Sequence, residues 1–158
     1  MCSSDLSGEY TLMAGASSAD IRRTLDIQIN GAEYEGAEVS GEVSAVTALE
    51  YVGVKFDADR ELREYALIND WQSSITFEHC RMRAYSSVKI TASNPGAPVK
   101  LAIVCRESGK QVAEAEIPST GSLTEFTTVT APAEKLDGTF SLRFTVSGML
   151  SLRSFSFS

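Results

Sequence analysis

Short runs of alternating apolar and polar residues, cut apart by turn residues, leave this chain little choice but β-structure. Val52, Val54 and Phe56 alternate with Gly53, Lys55 and Asp57. Ile75 and Phe77 alternate with Thr76 and Glu78, and Val88, Ile90 and Ala92 with Lys89, Thr91 and Ser93. The same period of two runs through Val99–Cys105 and through Phe140–Val146, and Phe155 and Phe157 close the chain. A period of two places every apolar side chain on one face of a strand. Between the runs stand Asn94-Pro95-Gly96, Ser108-Gly109-Lys110, Pro118-Ser119-Thr120-Gly121, Asp137-Gly138 and Ser147-Gly148, all turn formers. Helical periodicity is nearly absent; residues 61–67 are the best candidate, and they are short. One apolar face per strand requires two sheets packed face to face. The expected fold is all-β, an antiparallel β-sandwich over residues 45–158.

The front of the chain has a different organisation. Residues 7–30 read as two strands joined by a tight Gly/Ser turn. Tyr10 and Leu12 share one face of the first, and Ile21, Leu25, Ile27 and Ile29 line the second. A lone hairpin is marginal in water, so this segment is expected to be the tail of a domain whose body is missing. Residues 1–6, Met-Cys-Ser-Ser-Asp-Leu, read as a non-native scar with no part in the fold. Residues 31–44 are acidic and rich in small side chains, a linker or an irregular first strand.

The 158 residues carry a net charge of -7, which argues against nucleic acid and anionic membrane surfaces as partners. No stretch approaches the ~20 apolar residues of a membrane-spanning helix. Cys2, Cys80 and Cys105 have no close-spaced Cys/His set around them, so a zinc site is not expected. Cys80 and Cys105 read as buried free thiols, able to pair only if their strands are neighbours. His79 is the only histidine. It has no matched Ser or Cys and is not read as a catalytic base. Glu33, Glu35, Glu38 and Glu42 crowd a small-residue segment and read as a solvated run, not as the carboxylate pair of a glycosidase. Trp71, the single Trp, is expected in the core at the head of an alternating strand. Tyr65 is placed in a polar loop before that strand, near Asn69 and Asp70. The chain is therefore not expected to be an enzyme.

Two resemblances add to this reading. Gly8-Glu9-Tyr10-Thr11-Leu12-Met13-Ala14-Gly15-Ala16-Ser17-Ser18-Ala19-Asp20-Ile21 resembles the end of the fibronectin type III-like domain that closes many family 3 glycoside hydrolases. The second half resembles a family 6-type carbohydrate-binding module, a β-jelly roll. The resemblance lies in Tyr65-Ala66-Leu67-Ile68-Asn69-Asp70-Trp71, in Val88–Ser93, in Ile117-Pro118-Ser119-Thr120-Gly121-Ser122-Leu123-Thr124-Glu125-Phe126-Thr127-Thr128-Val129, in Gly138–Phe144 and in Ser151–Phe157.

In sugar-binding members of that family a cleft holds a sugar ring between two aromatic faces, beside an Asn. By this resemblance Tyr65 is the first aromatic. Leu123 stands at the usual Trp position, Ser151 at the Asn position, and Arg153 at the neighbouring polar one. The resemblance also implies a structural calcium, with Glu33 or Glu50 as its first acidic ligand. Arg153 at the C-terminal ligand position speaks against it, so no cofactor is expected. Together these imply a non-catalytic module for a β-linked oligo- or polysaccharide, attached to an upstream β-glucosidase-like catalytic domain. The alternative is a structural sandwich with a degenerate cleft that packs on that catalytic domain. The compartment is not readable from these residues.

Overall fold

The computed structural model describes residues 8–29 and 36–158, which fall into two units divided after residue 35. The first holds one antiparallel hairpin, β1 (Gly8–Ser17) and β2 (Asp20–Ile29). Its register sets Tyr10 opposite Ile27 and Leu12 opposite Leu25. One face is thus apolar, and Thr11 with Asp26, joined by a 2.7 Å hydrogen bond, marks the other. The side chains of Leu12, Met13, Ile21 and Leu25 are exposed. Residues 1–7, and Glu33 and Glu35 of the acidic run, lie outside the described residues.

The second unit is the sandwich. Its strands are β3 (Ala37–Glu38), β4 (Val43–Ser44), β5 (Glu50–Val52), β6 (Val54–Ala58), β7 (Glu64–Ile68), β8 (Ser74–Arg83), β9 (Ser87–Ser93), β10 (Val99–Cys105), β11 (Gln111–Ile117), β12 (Thr127–Pro132), β13 (Asp137–Val146) and β14 (Leu150–Phe157). One sheet runs β11-β10-β13-β8-β3, with β5 also on β8. The other runs β12-β9-β14-β7-β6, with β4 also on β14. All pairs are antiparallel except β3 on β8. The all-β antiparallel sandwich read from the alternation is the observed fold. It starts before residue 45, because Val39 is buried and its carbonyl accepts the N–H of Phe157. Residues 37–44 supply two short strands, so this part is irregular strand and not linker.

The core between the sheets is aromatic at its centre. Phe77 meets Phe144 at 5.1 Å and Phe155 at 4.7 Å between ring centroids. Ile75, Ile90, Leu101, Ile103, Leu142 and Leu152 fill the rest. Cys80 and Cys105 are buried free thiols on strands that flank β13 from opposite sides. They are therefore not neighbours and do not pair. Burial pushes the Cys80 thiol up to about 12.

Two features position the surface. Gly53 carries the chain from β5 in one sheet to β6 in the other, at φ +65°. A Cβ there would meet Ser73 Oγ at 2.5 Å. Strand β14 contains a bulge: Leu152 pairs with Ala92 and Ser154 with Thr91, leaving Arg153 as the extra residue. A bulge bends the strand and re-aims the side chain it carries.

Two sequence expectations change here. Trp71 is not core: it sits in the turn after β7, 71% exposed. Asp70 makes that turn, its Oδ1 accepting from the Gln72 and Ser73 amides. The strand starts only at Ser74, after the Trp. Tyr65 is not in a loop either. It lies within β7, opposite Asp57 of β6, and is 5% exposed. Of the candidate helix at residues 61–67, residues 61–63 belong to the loop before this strand and residues 64–67 to the strand itself.

Candidate functional site

The loop between β6 and β7 is organised by one side chain. Asp59 Oδ1 accepts the backbone N–H of Glu61 at 2.9 Å and of Arg63 at 3.0 Å. This is the local turn chemistry that Asp favours. Leu62 takes a left-handed φ of 60° to complete the loop. Asp59 Oδ2 then receives Arg63 Nε at 2.9 Å and Arg153 Nη2 at 2.6 Å. Burial works against the ionised Asp59 carboxylate. The two backbone donors and the Arg63 guanidinium outweigh it, and its pKa lies below the ordinary value.

From Asp59 a chain of contacts runs to Tyr65. Arg153, re-aimed by the β14 bulge, places its guanidinium carbon 3.6 Å from the centre of the Phe126 ring. Phe126 lies against Tyr65, with centroids 5.6 Å apart and planes tilted by 57°. Burial first, and then the Asp57 carboxylate, push the Tyr65 phenol above its ordinary pKa. Ser151 is fully buried, paired across the sheet with Leu67 on one side and Ser93 on the other. Ser93 Oγ donates to the Leu123 carbonyl at 2.6 Å, tying the loop before β12 down to β9.

The fold thus draws the sequence-derived residues into one region. Tyr65 and Arg153 touch the same ring, Ser151 stands two residues before Arg153, and Leu123 is held to the strand beside Ser151. Tyr65 is buried with the Phe126 ring beside it, and Arg153 is engaged by Asp59. Two buried polar atoms of the region, Ser151 Oγ and Arg153 Nε, have no hydrogen-bond partner among the described residues.

Sequence reasoning gave no role to Phe126 or Asp59. Phe126 stands in the very run that carried the resemblance, three residues after Leu123. Its place directly before the Thr127-Thr128-Val129 strand was the available signal. Asp59 could have been found as the first residue of the polar turn Asp59-Arg60-Glu61-Leu62-Arg63.

Of the two acidic residues that the resemblance offers as a first calcium ligand, Glu33 lies outside the described residues. Glu50 is spent on Arg106 at 2.6 Å, and the other ligand position is the Arg153 cation. No group of three or more His, Cys, Asp or Glu side chains gathers in metal-binding fashion among the described residues. His79 is an exposed residue of β8 with a left-handed φ of 54°.

No family model matches the sequence, and no curated protein is similar to it. Solved structures are similar in fold. A family 6 carbohydrate-binding module from Clostridium stercorarium, in complex with cellobiose, matches at a TM-score of 0.72 and 16% identity, over 78% of this chain and 96% of its own. A family 6 module from Clostridium cellulolyticum, in complex with xylose, matches at 0.72 and 12% identity, over 77% and 99%. A β-1,3-glucan-binding family 6 module from Bacillus halodurans matches at 0.70 and 18% identity, over 77% and 98%. The sandwich of this chain therefore has the fold of the family 6 carbohydrate-binding modules.

Proposed function

We propose that the sandwich is a non-catalytic carbohydrate-binding module for β-linked oligo- or polysaccharides. The observation that carries this reading is the convergence of Tyr65, Leu123, Ser151 and Arg153 on one region of a fold that sugar-binding modules share. An aromatic face buries the apolar C–H face of a sugar ring. Ser151 and Arg153 supply polar atoms for hydroxyls, as acceptor or donor and as donor only. With Leu123 in place of a second ring, affinity should be weak, on the order of millimolar. Trp71 offers the sandwich a further exposed ring on which a glycan can lie.

The parent is read as a β-glucosidase-like family 3 glycoside hydrolase, with its catalytic domain upstream. The support is the Gly8–Ile21 run and the exposed apolar face of the β1–β2 hairpin, which suits packing against a further sheet. The module would then raise the effective concentration of enzyme at the glycan and add no chemistry of its own.

A second reading has its own observation. Tyr65 is 5% exposed, which favours a structural sandwich whose cleft has closed for good. Calorimetric titration of the full chain with xylo-, cello- and laminari-oligosaccharides separates the two. Saturable heats that Tyr65→Ala removes support the binding module. Their absence for every oligosaccharide supports the structural one.

A further inference from the structure

Tyr65 and Phe126 are too close to hold anything between them. Their centroids are 5.6 Å apart. A sugar ring sandwiched by two aromatic faces needs about 8 Å, twice the ~4 Å of one apolar contact. Phe126 therefore occupies the place on Tyr65 that a sugar ring would take. Arg153 also stands over the Phe126 ring, at 3.6 Å, and Arg153 is held by Asp59 at 2.6 Å. Nearby lie Ser151 Oγ and Arg153 Nε, buried and without a hydrogen-bond partner among the described residues. Buried polar atoms are nearly always satisfied, and leaving one unsatisfied is costly. A hydroxyl-bearing ring is the kind of ligand that would satisfy a serine hydroxyl and a guanidinium N–H together while stacking on a phenol ring.

We infer that Phe126 is a displaceable plug: a β-linked sugar reaches Tyr65 by exchanging with the Phe126 ring, while Asp59 keeps Arg153 fixed at the lip of the cleft. This rests on the carbohydrate-binding reading and adds to it two residues, one occluding and one positioning. The surroundings define what can move. Leu123 is anchored through its carbonyl to Ser93, and Thr127 is already paired with Ala92 in the β12–β9 ladder. Between them stand only Thr124, Glu125 and Phe126, of which Thr124 and Glu125 are exposed and Phe126 half-buried. A swing of this three-residue link uncovers Tyr65 without breaking either anchor. Arg153 does not follow, because Asp59 is itself held by its own loop through two backbone amides. The exchange gives up the contacts of Phe126 with Tyr65 and Arg153, so binding to the intact chain is reduced by the small population of the open form.

The test compares the full chain with Phe126→Ala, each titrated with cellotetraose and xylotetraose by NMR, after both show cooperative thermal unfolding. The expected result is at least about tenfold tighter binding by Phe126→Ala, lost again in Phe126→Ala with Tyr65→Ala. In the unsubstituted chain, saturation with sugar should abolish the nuclear Overhauser contacts between the Tyr65 and Phe126 rings. That measurement stands even if Phe126→Ala fails to fold. Binding that is unchanged or weakened in Phe126→Ala, or Tyr65–Phe126 contacts that persist at saturation, overturns the plug and leaves the binding module standing. No saturable binding by either protein overturns both.

Discussion

Arg153 and Asp59 lie 94 residues apart in sequence, and their Nη2 and Oδ2 atoms are 2.6 Å apart. The pair joins the last strand to the β6–β7 loop, and its side chains are 16% and 6% exposed. Removing one member of so sheltered a pair leaves the other uncompensated. Asp59→Asn leaves Arg153 with no carboxylate and weakens the loop that Oδ1 organises. Arg153→Met keeps apolar volume against Phe126 and leaves Asp59 with Arg63. The expected order in thermal unfolding is a drop of several degrees for Asp59→Asn and a smaller one for Arg153→Met. The double variant should resemble Asp59→Asn alone. Equal or additive losses would show that the pair is not coupled.

Acid should destabilise the sandwich at several sites, the Asp59–Arg153 pair among them. Asp59, Glu38 and Glu107 all have pKa values below their ordinary 3.8, 4.5 and 4.5. A carboxyl whose folded pKa is depressed adds stability that is fully present above its unfolded pKa. That stability is lost as pH falls through the folded value. Arg63 and Arg153 bond to Asp59, as do the backbone amides of Glu61 and Arg63, so the ionised form has partners at neutral pH. Urea midpoints should be level from pH 7 to about 5 and fall below pH 4. Asp59→Asn should flatten part of that fall. A midpoint that rises on acidification would contradict the assigned directions.

Trp71 gives a direct optical check on the turn after β7. It is the only Trp, and it is exposed. The native chain should emit like a solvated indole and be quenched strongly by acrylamide, and denaturant should change either property little. A blue-shifted, protected emission would return Trp71 to the core.

The sandwich core should respond to truncation as close-packed interiors do. Phe155 is 2% exposed and meets both Phe77 and Phe144 within 5 Å between ring centroids. Phe155→Ala should cost about 3–5 kcal/mol in denaturant unfolding. A cost below about 1 kcal/mol would mean that these rings do not form the core.

These cases also show where the sequence is transparent. Phe77, Phe144 and Phe155 stand at clean period-two positions, and alternation alone places them inside. Trp71 follows Asn69-Asp70, and the turn chemistry of Asp70 outweighs the apolar pattern that begins after it. Tyr65 looks like a loop residue because polar Asp57–Glu64 precedes it. Its ring meets Phe126, sixty-one positions away in sequence, and no local pattern carries that contact. Arg153 breaks the alternation of the last strand. The period counts the break but does not say that a bulge swings the side chain toward Asp59. Resemblance brought Tyr65, Leu123, Ser151 and Arg153 to notice. The contacts that cover and fix two of them are tertiary, and only the fold reveals them.

The central claim is that the region around Tyr65 binds a β-linked glycan. The most direct measurement is a map of backbone and side-chain NMR shifts of the full chain during titration with cellotetraose, xylotetraose and a laminari-oligosaccharide. The expected result is saturable shifts, with affinity on the order of millimolar, centred on Tyr65, Leu123, Ser151 and Arg153 and abolished by Tyr65→Ala. Shifts that never saturate, or a saturable pattern that Tyr65→Ala leaves intact, would contradict it.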